Sequence, residues 1–392
     1  MPKQNILFLT LRVFSATGGI EKVCKVAGKA MHELCSDNPG TSLQVLSLYD
    51  EPTENSSQYF PATIFKGFGR ARAKFLLAAF GKRNKVQTVV VSHVNLLLVG
   101  VIIKMFAPQV RLVLIAHGIE VWRRFPAWKK MMLQECDAIL PVSDFTKQTM
   151  VTLYQLPVKK FTTLNNCLDP FLPLPAYNEK EETLLTRYKF TTTTKVLLTL
   201  TRIATNEGYK GYDEVIRAIA GLKTAYPELR YLLVGKYDAK EKARLDEIID
   251  SLQLKDFIVF TGFIPDEELE AHYDLADVYI MPSRKEGFGI VFIEALFYGK
   301  PVIAGNIDGS VDALKNGKFG LLVNPNSQEE ITAAIIEMIS HPIKYIPLHE
   351  EVMEHFSFKT YKENIRKFLT TLCVAASVYL PKAFWLVSPF AE

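Results

Sequence analysis

Twelve short apolar runs, most of them unbroken by polar residues and followed by helix-length amphipathic segments, limit what this 392-residue chain can become. A strand that is apolar on both faces must be covered on both faces, which is the habit of parallel strands packed between helices. In the first half the runs are Asn5–Arg12, Leu43–Leu48, Thr88–His93, Leu112–Ala116, Ala138–Val142 and Phe161–Asn165. In the second they are Val196–Leu200, Tyr231–Val234, Ile258–Thr261, Val278–Met281, Val302–Ala304 and Leu321–Val323. Strand–helix alternation of this kind predicts doubly wound α/β sheets. The length exceeds what one core usually supports. "PFLPLPAYNEKEETLLTRYKFTTTTK", residues 170–195, is rich in Pro, Thr and charge and separates the two series as a linker. The expected architecture is two Rossmann-like domains, residues 1–172 and 190–355, facing across a cleft. Ligands of open α/β sheets bind at the carboxyl ends of the strands, so both sheets would contribute to one cleft site.

Composition narrows the classes. The five cysteines are scattered, without CxxC or metal-like spacing, which fits a reducing compartment and disfavours both a disulfide framework and a zinc site. The apolar start, residues 6–11, is too short for a secretory signal. The longest apolar stretch, residues 86–105, contains Gln87, Ser92, His93 and Asn95 and is expected to be a buried strand followed by a buried helix rather than a span. Net charge is +4, yet no acidic residue occurs between Glu54 and Glu120. Lys66, Arg70, Arg72, Lys74, Lys82, Arg83, Lys85, Lys104 and Arg111 lie in that interval. Such a surface attracts lipid headgroups, nucleic acid or a phosphorylated acceptor. Residues 66–85 and 121–132 interleave cations with Phe, Leu and Trp, the pattern of an interfacial anchor or of an ordinary solvated face over a core.

Four stretches carry candidate chemistry. "TGGIEK" puts Gly18 and Gly19 between the first strand and the first helix, where bare amides can meet an anion or simply form a tight turn. "IAHGIE" puts His117 at a strand's carboxyl end, as a cleft group or as a structural histidine. Arg202 and Lys210 follow strand Val196–Leu200, either as a diphosphate clamp or as two surface cations. "SRKEGFGIVFIEALFYGKP", residues 283–301, offers Glu286 in a glycine-spaced loop and Glu294 on an apolar helix face. Loop amides at Gly287 and Gly289 can serve an anion, whereas Glu286 beside them suits hydroxyls. A carboxylate in Glu294's apolar setting needs partners, and a vicinal diol is a good one.

Taken together, "EGFGIVFIEALFYGKPVIAG", "GGIEKV", "AHG", "VSDFTKQ", "NCLDPF", "LLVGKYD" and "FTGFIPDEEL" resemble the retaining glycosyltransferases of family 4, with the GT-B fold, over residues 5 to 368. The resemblance implies two Rossmann-like domains, the first completed by a C-terminal segment near 356–392. It implies a hexose moved from a UDP-, GDP- or ADP-sugar, with no metal and no nucleic acid; the basic, aromatic stretches 66–85 and 121–132 add the expectation of a glycan or lipid-linked acceptor met on the cytoplasmic side, peripherally at the membrane. Glu286 would contact the donor sugar, together with the amides of Gly287, Phe288, Gly289 and Ile290. Glu294 would hold the ribose, Arg202 and Lys210 the diphosphate, and Gly18 and Gly19 the phosphate from the opposite domain. Gly235, Phe263 and Ile264 fall in the segments that meet the nucleotide, and His117 matches a histidine beside the reacting sugar. The turn after Pro301, "GNIDGSVDAL", departs from the family's double glycine and proline–glutamate, so sugar identity is not legible there. A sugar-nucleotide epimerase, a hydrolase using Glu286 and Glu294 as a pair, and a non-catalytic nucleotide- or lipid-binding module are the rival readings. A dehydrogenase is disfavoured because no GxGxxG follows a strand.

Overall fold

A computed structural model describes residues 4–54, 58–175 and 180–377. The strands are β1 (Asn5–Thr10), β2 (Ser42–Ser47), β3 (Phe65–Gly67), β4 (Thr88–Val91), β5 (Arg111–Ala116) and β6 (Ala138–Pro141) in the first half. In the second they are β7 (Lys195–Leu200), β8 (Leu229–Val234), β9 (Ile258–Gly262), β10 (Val278–Met281), β11 (Val302–Gly305) and β12 (Leu321–Val323). They form two six-stranded sheets, ordered β3-β2-β1-β4-β5-β6 and β12-β11-β10-β7-β8-β9. Each sheet is parallel, as β1 with β2 and β4, and β7 with β8 and β10, illustrate.

Strand alternation divides each sheet's burial between two layers. Leu7 and Leu9 face a core closed by Phe75, Leu97 and Leu133 from three helices, while Ile6 and Phe8 face Ala27, Met31 and Leu34 of the helix Gly19–Ser36. In the second sheet Leu198 and Tyr279 share a layer with Phe292 and Leu296, and Leu197 and Ile280 one with Ile216 and Ile335. The last helix, Phe358–Ser377, crosses back to the first domain. Its Tyr361, Ile365 and Leu369 enter that core, and Lys362 pairs with Glu33 at 2.7 Å. The apolar end of the chain beyond residue 377 lies outside the described residues.

All six expected strands of the second sheet form. In the first sheet one expectation fails: Phe161–Asn165 is not a strand. Phe161 makes an isolated bridge to Ile139, and the polar side chains beyond it bond elsewhere, Thr163 to Asp144 and Asn165 to the Val142 carbonyl. The sixth strand is instead β3, three residues long at the sheet edge and overlapping the start of the basic stretch 66–85. Within the linker, Glu182–Tyr188 is helical and buries Leu184 and Leu185 in the second core. Residues 88–106 form strand β4 and the helix Leu97–Phe106, and no described helix is long and apolar enough to cross a membrane.

Candidate active site

The carboxyl ends of the two sheets face one another, and most of the residues singled out in the sequence lie on the loops between them. Part of the junction is backbone on backbone. A Cβ built on Gly118 would strike the Gly287 backbone, and one built on Gly287 would strike the His117 carbonyl. Gly118 also holds a φ of 135°, a conformation that side-chain-bearing residues rarely adopt. Glycine at both positions therefore lets the loop after β5 touch the loop after β10.

Two lysine–glutamate pairs lie at this junction, one across it and one within the second domain. Lys22, in the first turn of Gly19–Ser36, puts its Nζ 2.5 Å from Glu294 Oε1, in the other domain. Glu294 is fully buried on the helix Ile290–Phe297, and the Tyr273 hydroxyl donates to it at 3.4 Å. Burial alone would lower the Lys22 pKa, but the charge and hydrogen bond of Glu294 outweigh it and hold it above the ordinary lysine value. Lys210, on the loop after β7, pairs with Glu286. Its pKa too is raised, the Glu286 charge overcoming desolvation. Both lysines are thus firmly cationic and both glutamates have a charged partner.

His117 is buried beneath the junction. Its Nε2 lies 2.7 Å from the Ser92 carbonyl, which can accept only, so Nε2 carries the proton. Nδ1 is then a bare acceptor, buried and without a hydrogen-bond partner among the described residues. Burial depresses the His117 pKa to about 4, so the ring is neutral at pH 7. Its backbone N–H donates to the Glu120 carboxylate at 2.6 Å, a residue that the sequence left unassigned.

The other expected residues divide. Gly18 precedes the helix Gly19–Ser36, and the space around Gly19 is open. Arg202 is folded against Glu207 rather than against Lys210, with 72% of its side chain exposed. Phe263 is exposed with Lys236 over its ring at 4.7 Å, and Ile264 packs on the second core. Gly289, with φ 85°, turns the loop into the helix that Ile290 begins. The Gly235 N–H is already bonded to the Gly262 carbonyl at 2.9 Å. The Phe288 ring is 1% exposed and packs edge-on against Phe356, which leaves its backbone as the part that could face a ligand. Lys22, Asp308 and Asp312 were not singled out as site residues. Asp312 accepts from the Asp144 N–H across the junction at 2.8 Å.

Two helices of the acid-free interval pack beside a third, Ala127–Gln134, that follows it. Helices Arg72–Phe80, Leu97–Phe106 and Ala127–Gln134 lie side by side and expose Leu77, Met105, Phe106, Trp128 and Met131. Not every cation there is available: Lys104 and Arg111 pair with Asp137, and Lys129 turns inward to Asn95 Oδ1 at 2.9 Å.

Residues 28–170 match the family model for Glycosyltransferase Family 4, and residues 181–355 that for Glycosyl transferases group 1. A stretch of 140 residues, 34% of this chain and 36% of the relative, is 36% identical to the GDP-mannose-dependent alpha-(1-6)-phosphatidylinositol monomannoside mannosyltransferase of Mycolicibacterium smegmatis. Mannosylfructose-phosphate synthase of Agrobacterium fabrum is 28% identical over 221 residues, 55% of this chain and 48% of the relative. The chain therefore spans half or less of these two relatives. Anabaena HepE, solved in complex with UDP, superposes with a TM-score of 0.77 at 19% identity, covering 94% of this chain and 100% of the other.

Proposed function

Because the chain belongs to the GT-B glycosyltransferases of family 4, with its two halves matching that family's two models, we propose that it is a retaining hexosyltransferase using a nucleotide-diphosphate sugar. The observation that carries this reading is the pairing of Glu286 with Lys210 and of Glu294 with Lys22 on either side of the glycine loop. That layout supplies hydroxyl acceptors and cations in one cleft, the complement of a molecule with two sugars joined by a diphosphate.

In the transfer step the bond from the donor's anomeric carbon to the β-phosphate oxygen breaks. A bond from the acceptor oxygen forms on the same face, and the acceptor proton passes to the departing phosphate. Lys210, Arg202 and the amides at Gly287–Gly289 stabilise the charge growing on the diphosphate without a metal, each such contact contributing on the order of 3 kcal/mol. Glu286 orients the sugar hydroxyls and Glu294 the ribose diol. His117, neutral with Nδ1 bare, accepts a hydrogen bond from a hydroxyl at the reacting centre. The exposed Phe263 supplies a face for the base.

The test is a screen of UDP-, GDP- and ADP-sugars by calorimetry in the presence of EDTA. One nucleotide class is expected to bind with the chelator present, and silence from all three sinks the reading.

The acceptor is proposed to be a glycan or a polyprenyl- or other lipid-linked glycan. The Mycolicibacterium relative, named for a phosphatidylinositol mannoside, supports a glycolipid. The exposed apolar face with Arg72, Lys74, Lys82 and Lys130 around it would rest on an anionic membrane from the cytoplasmic side. Vesicles containing about one-third anionic lipid should sediment the protein, and neutral vesicles should not. Equal sedimentation by both refutes the membrane contact.

A further inference from the structure

The turn after β11 holds a fully buried carboxylate that the transfer step does not use. Asp308 Oδ2 accepts the Glu286 N–H at 2.7 Å and the Ser283 hydroxyl at 2.6 Å, while Oδ1 accepts the Ser310 N–H at 2.9 Å. Ser283 and Ser310 are themselves fully buried, and their hydroxyls lie 3.2 Å apart. The next residue completes the hold, because the Gly309 N–H donates to the Glu286 carbonyl at 2.8 Å. Both backbone polar groups of Glu286 are therefore bound by the consecutive residues 308 and 309. Gly309 also lies so close to the carbonyls of Glu286 and Gly287 that a Cβ would collide with both.

We propose that Asp308 is a positioning residue for the donor loop, fixing the backbone at Glu286 so that the Glu286 carboxylate and the Gly287–Gly289 amides hold one direction toward the donor's sugar. The chemistry favours a carboxylate over any neutral isostere. Three donors converge on its two oxygens, and a carboxylate accepts at both while an amide would turn an N–H toward one of them. The arrangement is unfavourable for its own sake, since burial pushes the Asp308 pKa up to about 6 despite these bonds. A merely space-filling turn has no need of a charge there. The same turn continues into Asp312, whose bond to the Asp144 N–H reaches the first domain, so the loop that carries Glu286 is braced from both sides of the cleft.

This role rests on the donor-site reading above and concerns its sugar half, not its nucleotide half. Glu294 is set by Lys22 and Tyr273, which Asp308 does not touch. The experiment uses the full chain, wild type and Asp308→Asn, with calorimetry against UDP, GDP and ADP, and steady-state turnover of the matching nucleotide sugar. Small misplacements of a reacting group cost about 10²-fold. Asp308→Asn is therefore expected to lose about 10²-fold in kcat/KM for the sugar nucleotide, while affinity for the bare nucleoside diphosphate stays within about twofold. Ser283→Ala removes one donor from the same carboxylate and serves if the first variant does not fold. It should show the same split at about fivefold. Turnover unchanged, or nucleotide affinity falling in step with turnover, overturns the proposal. A wild-type chain that binds no nucleoside diphosphate overturns the donor-site reading and this role with it, whereas wild-type binding with an unaffected variant overturns this role alone.

Discussion

Lys210→Ala is expected to slow sugar transfer about 10²- to 10³-fold, the loss typical of removing one preorganised charge from a developing anion. Lys210 is half-buried, held cationic by Glu286, and carried on the loop that leaves β7. The neighbouring glycine makes that placement possible. Gly211 sits directly against the Pro282 carbonyl with φ 85°, where a side chain would not fit, so the β7 loop is pressed onto the end of β10. Without the ammonium the leaving diphosphate loses a fixed counter-charge, and Glu286 is left facing it unpaired. Lys210→Arg should not restore the rate, because a planar fork does not fill the place of a compact ammonium. The check is kcat at saturating donor together with thermal unfolding. A rate within threefold of wild type, in a variant that folds normally, would remove Lys210 from the catalytic machinery.

The second large effect belongs to binding. Glu294→Ala is expected to weaken nucleoside diphosphate affinity about ten- to a hundredfold, the loss of roughly 1.5–3 kcal/mol in hydrogen bonds to a charged group. The full burial of Glu294 makes the substitution informative, since the carboxylate has no contact with bulk solvent. Lys22, with about a third of its side chain exposed, can turn to solvent when its partner goes, so the fold should survive. Titration calorimetry decides it, and unchanged affinity would mean that the ribose is held elsewhere.

Much of this site was legible because parallel sheets put their loops on one side. His117, Arg202, Lys210 and Glu286 each follow a run that reads as a strand, so topology alone directs them to the cleft. What escaped were relations across it. Lys22 stands in a conspicuous glycine motif, but its partner is 272 residues away, and no local pattern connects the two. Asp308 was visible as a departure from the family's turn, while the backbone N–H that it serves belongs to another loop. The Phe288 ring was given no place by the sequence: between two glycines it turns into the core, for the hydrophobic gain of burying a phenyl ring. Strand β3 was missed for a simpler reason. Three residues at a sheet edge carry too little periodicity to stand out from a basic amphipathic stretch.

The Lys22–Glu294 contact has a thermodynamic consequence. If the ribose diol binds Glu294, the diol and the ammonium draw on the same two oxygens, one supplied by the ligand and the other by the opposite half of the protein. Whatever free energy the nucleotide gains or loses by sharing that carboxylate must reappear, equal in size, in the equilibrium between joined and parted halves. Donor affinity and interdomain geometry then form a single linked measurement, and Lys22 is the residue through which each reads the other.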